Sequence, residues 1–536
     1  MQEIRKMPIG VQDFEDLRRN KYVYVDKTEY VYRLAQMGKV YFLSRPRRFG
    51  KSLLLSTLKQ YFLGNKDIFK GLAIEKLENE NPTSFDKVAW VKHPVIYIDL
   101  NSQKYEDKDS LKRILDFQLS VYEKNYSTEK PGIDFGVRFA NLVRDAYKKT
   151  GRQAVVLVDE YDKPLLQTID KPELFDDYRA TLKAFYGVLK SEDANLRFSM
   201  LTGVTKFSQV SVWSDLNNLN DITMDPFYSS VCGISEKELH DNLNSEVENL
   251  AAANKISVKE CYSLLKAKYD GYHFCEETEG IYNPFSLLNT LQSTKMRDYW
   301  FQTGTPTFLV EEIKRNNYDL RKLIDGVDVD SQRLTEYSVG GTNPIPILVQ
   351  SGYLTIKGYD SRFDTYHLEL PNEEVKYGFL NFLSPDFIGT KSFSFDSDFD
   401  IRKFVKDIES CNVDAFMTRL QSIIASLPYP TDAKNQTVEM LEYNFQVAVY
   451  LTFTLMGQFT QCEVHSIKGR ADAIVETMDA IYIFEFKTND SAENALAQID
   501  ELCYAEKYNS SNKKIVKIGA EFNTQERKLV EWVKGE

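Results

Sequence analysis

At 536 residues, with 43% hydrophobic and 27% charged, the chain is too long for a single hydrophobic core and too apolar to be disordered. The net charge of −12 excludes a surface that grips nucleic acid everywhere, and it is unevenly spread: residues 1–60 hold 13 Lys or Arg against 6 Asp or Glu, and residues 431–536 hold 11 against 17. The start lacks the apolar stretch of a secretory signal, the apolar run 447–456 is about half a membrane span, and six cysteines without a CxxC pair beside five histidines argue against a zinc cluster and point to reduced thiols in the cytoplasm.

Four short β-branched or aromatic runs, 40–44, 94–100, 154–160 and 198–204, alternate with helical patterns in the first 205 residues. Near-continuous apolar strands between helices predict a parallel sheet covered on both faces. The first run leads into Ser44-Arg45-Pro46-Arg47-Arg48-Phe49-Gly50-Lys51-Ser52 and a helix beginning Leu53. A strand, a basic loop ending Gly-Lys-Ser and a helix form the setting of a phosphate loop, because backbone N–H groups at a helix start hold an anion. Gly50 lets the backbone approach the phosphates, Lys51 reaches them, and Ser52 ligates Mg²⁺. Arg45, Arg47, Arg48, Phe49 and Leu53 are further candidates to hold ATP. Arg45 stands where the common pattern has a first glycine.

The run 154–160 ends in Asp159-Glu160. A buried strand delivering two acids to its tip suits a water-bridged magnesium on Asp159 and a water-polarising base at Glu160; a helix cap is the plainer alternative. The run 94–100, lying between the two motifs, fits the branch of P-loop ATPases with a strand inserted there, and 198–204 is read as the next strand along. Thr202 or Thr205 at its end is a candidate sensor of the γ-phosphate, or a hydroxyl bonded to backbone.

After Ser235 the pattern becomes helical, at 236–254, 257–269 and 284–294. A short helix at 344–351, followed by strands at 353–357 and 365–370, suggests a winged-helix-like module; a helical lid ending in a hairpin fits as well. Residues 385–430 read as a helical connector.

The last hundred residues return to α/β, with a helix at 436–456, strands at 463–467, 471–476 and 481–487, a helix at 492–508 and a strand at 514–520. A hairpin centred between Met478 and Asp479 sets Asp472 opposite Glu485, with side chains roughly 5 Å apart. Facing carboxylates repel, so a divalent cation is the natural third party. Strand alternation turns Lys487 to the side of Glu485. Glu442 on the preceding helix is a candidate third acid, and Gln498 and Tyr504, with Tyr508, are candidate substrate contacts. An exposed strand face with an ordinary Glu–Lys pair is the plainer reading. Lys468, Arg470, Lys513, Lys514 and Lys517 are the cations available for a phosphate backbone.

Taken together, these motifs resemble a bacterial family of AAA-ATPase-like proteins with a C-terminal PD-(D/E)XK nuclease-superfamily domain. The resemblance runs over nearly the whole chain. It is carried by Met7-Pro8-Ile9-Gly10, Val25-Asp26-Lys27-Thr28, the loop from Arg45 to Ser52, Val158-Asp159-Glu160-Tyr161-Asp162, Leu201-Thr202-Gly203-Val204, Leu216-Asn217-Asn218-Leu219, Tyr282-Asn283-Pro284 and Gln350-Ser351-Gly352-Tyr353-Leu354. Arg for the first loop glycine is itself a mark of the family. Two departures stand out: Ala471 occupies the usual proline position before the first Asp, and Leu502 sits four residues after Gln498, with Tyr504 nearby. The organisation read from the sequence is a P-loop domain at 1–234, a helical and winged-helix-like region at 235–384, the connector at 385–430 and a nuclease-like domain at 431–536. The resemblance implies a hydrolase that binds ATP and Mg²⁺, with Mn²⁺ as a candidate at the second site. A nucleic acid is the expected partner, a membrane is not, and homo-oligomerisation is left open. A nuclease gated by ATP, in a defence or mobile-element role, is the leading reading; a nucleotide switch with an inactive nuclease fold is the alternative.

Overall fold

In the N-terminal part, strands β1 (Val40–Ser44), β2 (Val95–Asp99), β3 (Ala154–Asp159), β4 (Leu196–Gly203) and β5 (Asn220–Asp221) form one parallel sheet in the order β2-β3-β4-β1-β5. The computed structural model describes residues 5–82, 87–126, 134–206, 218–301, 309, 313, 318, 320–335, 343–388, 401–425, 427, 438–465, 471–509, 511 and 513–535. Leu216 and Asn217 of the family motif, the helix start at 436–437, the strand end at 466–467, and Lys468, Gly469 and Arg470 lie outside them.

Every residue of β1, β3 and β4 is buried, as continuous apolar runs require when helices cover both faces. One expectation is corrected here. The strand standing between the loop-bearing β1 and the acid-bearing β3 is β4, whereas β2 pairs with the other side of β3. Order along the chain is not order in the sheet, because each parallel connection crosses over through a helix.

The chain divides into two units: 1–318 with 326–374, and 319–325 with 375–536. In the first, the helices Glu236–Asn254, Val258–Tyr269 and Pro284–Ser293 pack Leu239, Leu243, Val247, Leu265, Tyr269 and Leu287 into one cluster that also buries Met7. Ser235 and Glu238 make a reciprocal capping box that fixes where the first of these helices begins. β6 (Ile234–Ser235) and β7 (Ile281–Tyr282) pair beside it. The helix Ile345–Ser351 precedes the hairpin β9 (Thr355–Asp360) and β10 (Thr365–Glu369), and β8 (Val327–Asp330), unforeseen in the sequence, adds a third strand against β10.

In the second unit, β11 (Gln461–Val464), β12 (Ala473–Glu476), β13 (Ala480–Thr488), β14 (Lys514–Asn523) and β15 (Lys528–Gly535) lie in chain order, with β13 and β14 parallel and the other pairs antiparallel. β15 was also unforeseen. Phe484 and Phe486 point to one face, where Phe416, Phe445 and Phe453 meet them at centroid distances of 4.9–5.8 Å. The helices Ile401–Glu409 and Val413–Ala425, from the stretch read as a connector, belong to this packing: Tyr482 donates its hydroxyl to Ile408 O at 3.0 Å. The segment Leu320–Asp325 joins the same unit through Arg321 to Gln446, at 2.7 Å, and Tyr450 to Asp325. Among the described residues, no helix is long and apolar enough to cross a membrane.

Candidate functional site

The phosphate loop leaves β1 and turns into the helix Lys51–Phe62 through two left-handed residues, Arg48 (φ 68°) and Gly50 (φ 101°). No neighbour crowds a Cβ at Gly50, so its glycine is required by conformation rather than by space. Lys51 is 3% exposed; its Nζ donates to the carbonyls of Arg45 (3.1 Å) and Pro46 (3.3 Å) and lies 3.5 Å from Glu160. The loop therefore curls round its own lysine and aims it at the tip of β3.

At that tip Asp159 is buried, and its carboxylate accepts from Thr202 Oγ1 at 2.8 Å and Tyr97 OH at 3.1 Å. Burial raises its pKa; hydrogen bonds from Ser52 and Thr202 pull the other way, and Glu160 adds to the rise. Glu160 sits at φ 54°, a strained turn for a residue with a side chain, and this turns its carboxylate away from Asp159's partners toward Lys51. Asp162, also buried, accepts from the backbone N–H groups of Val204 and Thr205 and from Thr205 Oγ1 at 2.6–3.0 Å. The two threonines are thus divided: Thr202 touches Asp159, while Thr205 braces Asp162.

A cavity of about 620 Å³ opens over this loop. Its walls include Pro8, Ile9, Val11, Pro284, Phe285 and Leu288 on an apolar side, and Arg47, Arg48, Lys51, Ser52, Glu160 and Lys163 on a polar one. Gln12, Asn101, Lys163 and Trp300 were not foreseen there. Lys163, four residues beyond Asp159, carried a readable signal; Asn101 and Trp300 did not, because only the fold brings them in. Trp300 donates its indole N–H to Arg47 O at 3.2 Å, and its backbone N–H to Glu374 Oε1 at 2.8 Å. Glu374 also accepts from Ser286 Oγ at 2.9 Å, its Oε2 is buried without a partner, and burial pushes its pKa up to about 7.

Arg45 and Phe49 do not take the place expected of them. The Arg45 guanidinium points into the protein, donating to the carbonyls of Ser44, Thr223 and Tyr228 at 2.8–2.9 Å and stacking 4.0 Å from the Phe274 ring. Phe49 packs edge-on against Tyr272 and Phe274. Three converging carbonyls and an aromatic face hold the guanidinium inside the protein, and two aromatic rings hold Phe49 beside it, so neither side chain lines the cavity.

In the second unit, Ala473 pairs with Phe484, the register that sets Asp472 beside Glu485. Asp472 Oδ2 accepts from Phe486 N at 2.8 Å. Gln498, on the helix Ala492–Glu501, bridges the site: its amide N–H donates to Glu485 Oε1 and its oxygen accepts from Lys487 Nζ. Glu485 is 4% exposed; burial, then the neighbouring Asp472, pushes its pKa up to about 8, and burial lifts Asp472 to about 6. Glu485 Oε2 and the Tyr504 hydroxyl are buried without hydrogen-bond partners. An orphaned carboxylate oxygen facing a second acid fits a divalent cation that keeps waters as its other ligands. Glu442 does not complete the set: it accepts from Gln446 at 3.2 Å, and among the described residues no three His, Cys, Asp or Glu side chains gather closely enough to hold a metal. Lys513 and Lys517, counted toward a phosphate backbone, are paired with Glu476 and Asp500.

A family model described as Predicted AAA-ATPase matches residues 8–213, and one described as PD-(D/E)XK nuclease superfamily matches residues 440–532. A protein of Azotobacter chroococcum mcd 1, described as an uncharacterized protein in the vnfD 5' region, is 34% identical over 99% of this chain and 98% of its own length.

Proposed function

The chain belongs to the AAA-ATPase-like family with a C-terminal PD-(D/E)XK nuclease-superfamily domain, and from that premise we propose that it hydrolyses ATP in its first unit to license phosphodiester cleavage in its second. The observation that carries this reading is the convergence of Lys51, Ser52, Asp159 and Glu160 at one edge of a parallel sheet, under a cavity lined by four cations and a single carboxylate. Such a cavity suits a polyanion with an apolar head, as a nucleoside triphosphate is.

Ser52 and Asp159 would hold Mg²⁺, which supplies charge neutralisation on the phosphates. Lys51 neutralises the same anion from the loop side, and Glu160 polarises the attacking water. At the second site, Asp472 and Glu485 would hold Mg²⁺ or Mn²⁺, whose chemistry is Lewis-acid activation of the phosphodiester. Lys487 stabilises developing negative charge, and Gln498 and Tyr504 contact the nucleic acid. The helix Ile345–Ser351 with its hairpin serves as a winged-helix-like grip, an attractive role because Lys507, Lys513, Lys517, Lys528 and Lys534 of the C-terminal unit are paired with carboxylates. A cytoplasmic defence or mobile-element role, with the chains acting as a homo-oligomer, completes the proposal.

The switch reading, with an inert nuclease fold, has one observation in its favour: Gln498 already occupies both Glu485 and Lys487. Hydrolysis of ATP and Mg²⁺- or Mn²⁺-dependent cleavage, measured on wild type, Lys51→Ala and Glu485→Ala, decides. We expect Lys51→Ala to cut the ATPase rate at least a hundredfold, as loss of a principal phosphate cation does, and Glu485→Ala to abolish cleavage alone. Cleavage surviving Glu485→Ala would remove the nuclease assignment, and wild-type ATP binding without any cleavage would favour the switch.

A further inference from the structure

We infer that Lys163 is a binding group for the terminal phosphate of the nucleotide, supplied by the same chain that carries Lys51. The inference rests on the nucleotide reading of the cavity and goes beyond the usual loop-and-strand-tip machinery.

Sheet order places it. Lys51 follows β1, while Lys163 follows β3 by four residues, and Asn101 follows β2 by two. With the order β2-β3-β4-β1, Lys51 and Lys163 approach Glu160 from opposite sides, and all three line the same 620 Å³ cavity. The Lys163 ammonium donates to Asn101 twice, to the backbone carbonyl at 3.0 Å and to the side-chain oxygen. Both acceptors are neutral. Among the described residues, no carboxylate pairs with Lys163 within 4.0 Å, whereas Lys51 has Glu160 at 3.5 Å.

A half-buried ammonium held by neutral oxygens has no carboxylate against it to offset its charge. Burial depresses its pKa, Glu160 opposes that, and Arg47 adds to it, so an incoming anion would relieve a cation that the fold has already partly dehydrated. The four-carbon stem lets the ammonium leave Asn101 and meet a phosphate oxygen without backbone movement. Lys51 then covers the anion from the loop, and Lys163 from the far side of Glu160.

The test is equilibrium binding of ATPγS and of ADP to the full chain, as wild type, Lys163→Met, Lys163→Arg, Asn101→Ala and Lys51→Met. A group that meets only the terminal phosphate discriminates between these two ligands. Lys163→Met is expected to weaken ATPγS about tenfold or more, the scale of one lost charged hydrogen bond, and to leave ADP within about twofold. Lys163→Arg retains most of the preference, Asn101→Ala preserves it, and Lys51→Met lowers affinity for both ligands. Equal losses for both nucleotides in Lys163→Met, or loss of the preference in Asn101→Ala, would reduce Lys163 to a brace for the β2 tip and overturn the inference. No change in Lys163→Met would overturn it too. If wild type binds neither nucleotide, the nucleotide reading itself falls, and this inference with it.

Discussion

Glu374 is a carboxylic acid that the first unit keeps dry. With its ordinary value near 4.5 raised to about 7 by burial, the native chain holds a proton there that the unfolded chain releases. The native state therefore binds more protons between those pH values. Its stability is full below the unfolded value and falls as pH rises through 7, by about 3 kcal/mol in all. Glu374→Gln cannot ionise, so its urea-unfolding free energy is expected to lose that slope between pH 5 and pH 8; parallel curves for mutant and wild type would refute the assignment. None of this is visible along the chain, since Glu374 gains its meaning from Ser286 and Trp300, both more than seventy positions away. Arg45 teaches the same lesson. In the sequence it is a cation in a phosphate loop, and only the partners Thr223 and Tyr228, brought close by the sheet, turn it inward. Lys51, Ser52 and Asp159 were legible because each follows its own strand or begins its own helix, so local pattern already fixes where it stands.

Among the elements, β1, β3 and β4 are buried along their whole length and β2 over most of it, and their near-continuous apolar runs made them readable in advance, as were β9 to β14. β15 escaped because its sequence KLVEWVKG mixes charge with apolar residues, and it packs mainly by pairing with β14. The same corner of the fold makes a sharp demand on one residue. A Cβ on Gly519, in β14, would collide with Ala492 O and Leu496 N, backbone atoms of the helix that carries Gln498. Gly519→Ala is expected to lift that helix at a cost of about 3 kcal/mol, the upper range for overpacking because backbone cannot rotate aside. Hydrogen exchange across 492–501 should accelerate while ATP affinity stays within about twofold. Unchanged protection there would show that the helix docks less tightly than its geometry demands.

For the molecule as a whole, the C-terminal unit is discontinuous: it takes 319–325 from the middle of the chain. Leu320 and Leu323 are each 1% exposed, and Arg321 and Asp325 are hydrogen-bonded to Gln446 and Tyr450. Replacing 319–325 by a Gly/Ser linker of equal length should destabilise this unit by on the order of 5 kcal/mol, from two buried leucines and two hydrogen bonds. Calorimetry should show its transition falling while nucleotide affinity in the first unit persists; an unmoved transition would make the segment a passive tether.

That borrowed segment also bears on inheritance. A recombination event with one crossover near codon 375 would hand a new host a C-terminal half without its wedge, a product selection would tend to discard. Lineages keeping both halves in one reading frame would be favoured, and the Azotobacter protein, similar over 99% of this chain, spans both halves.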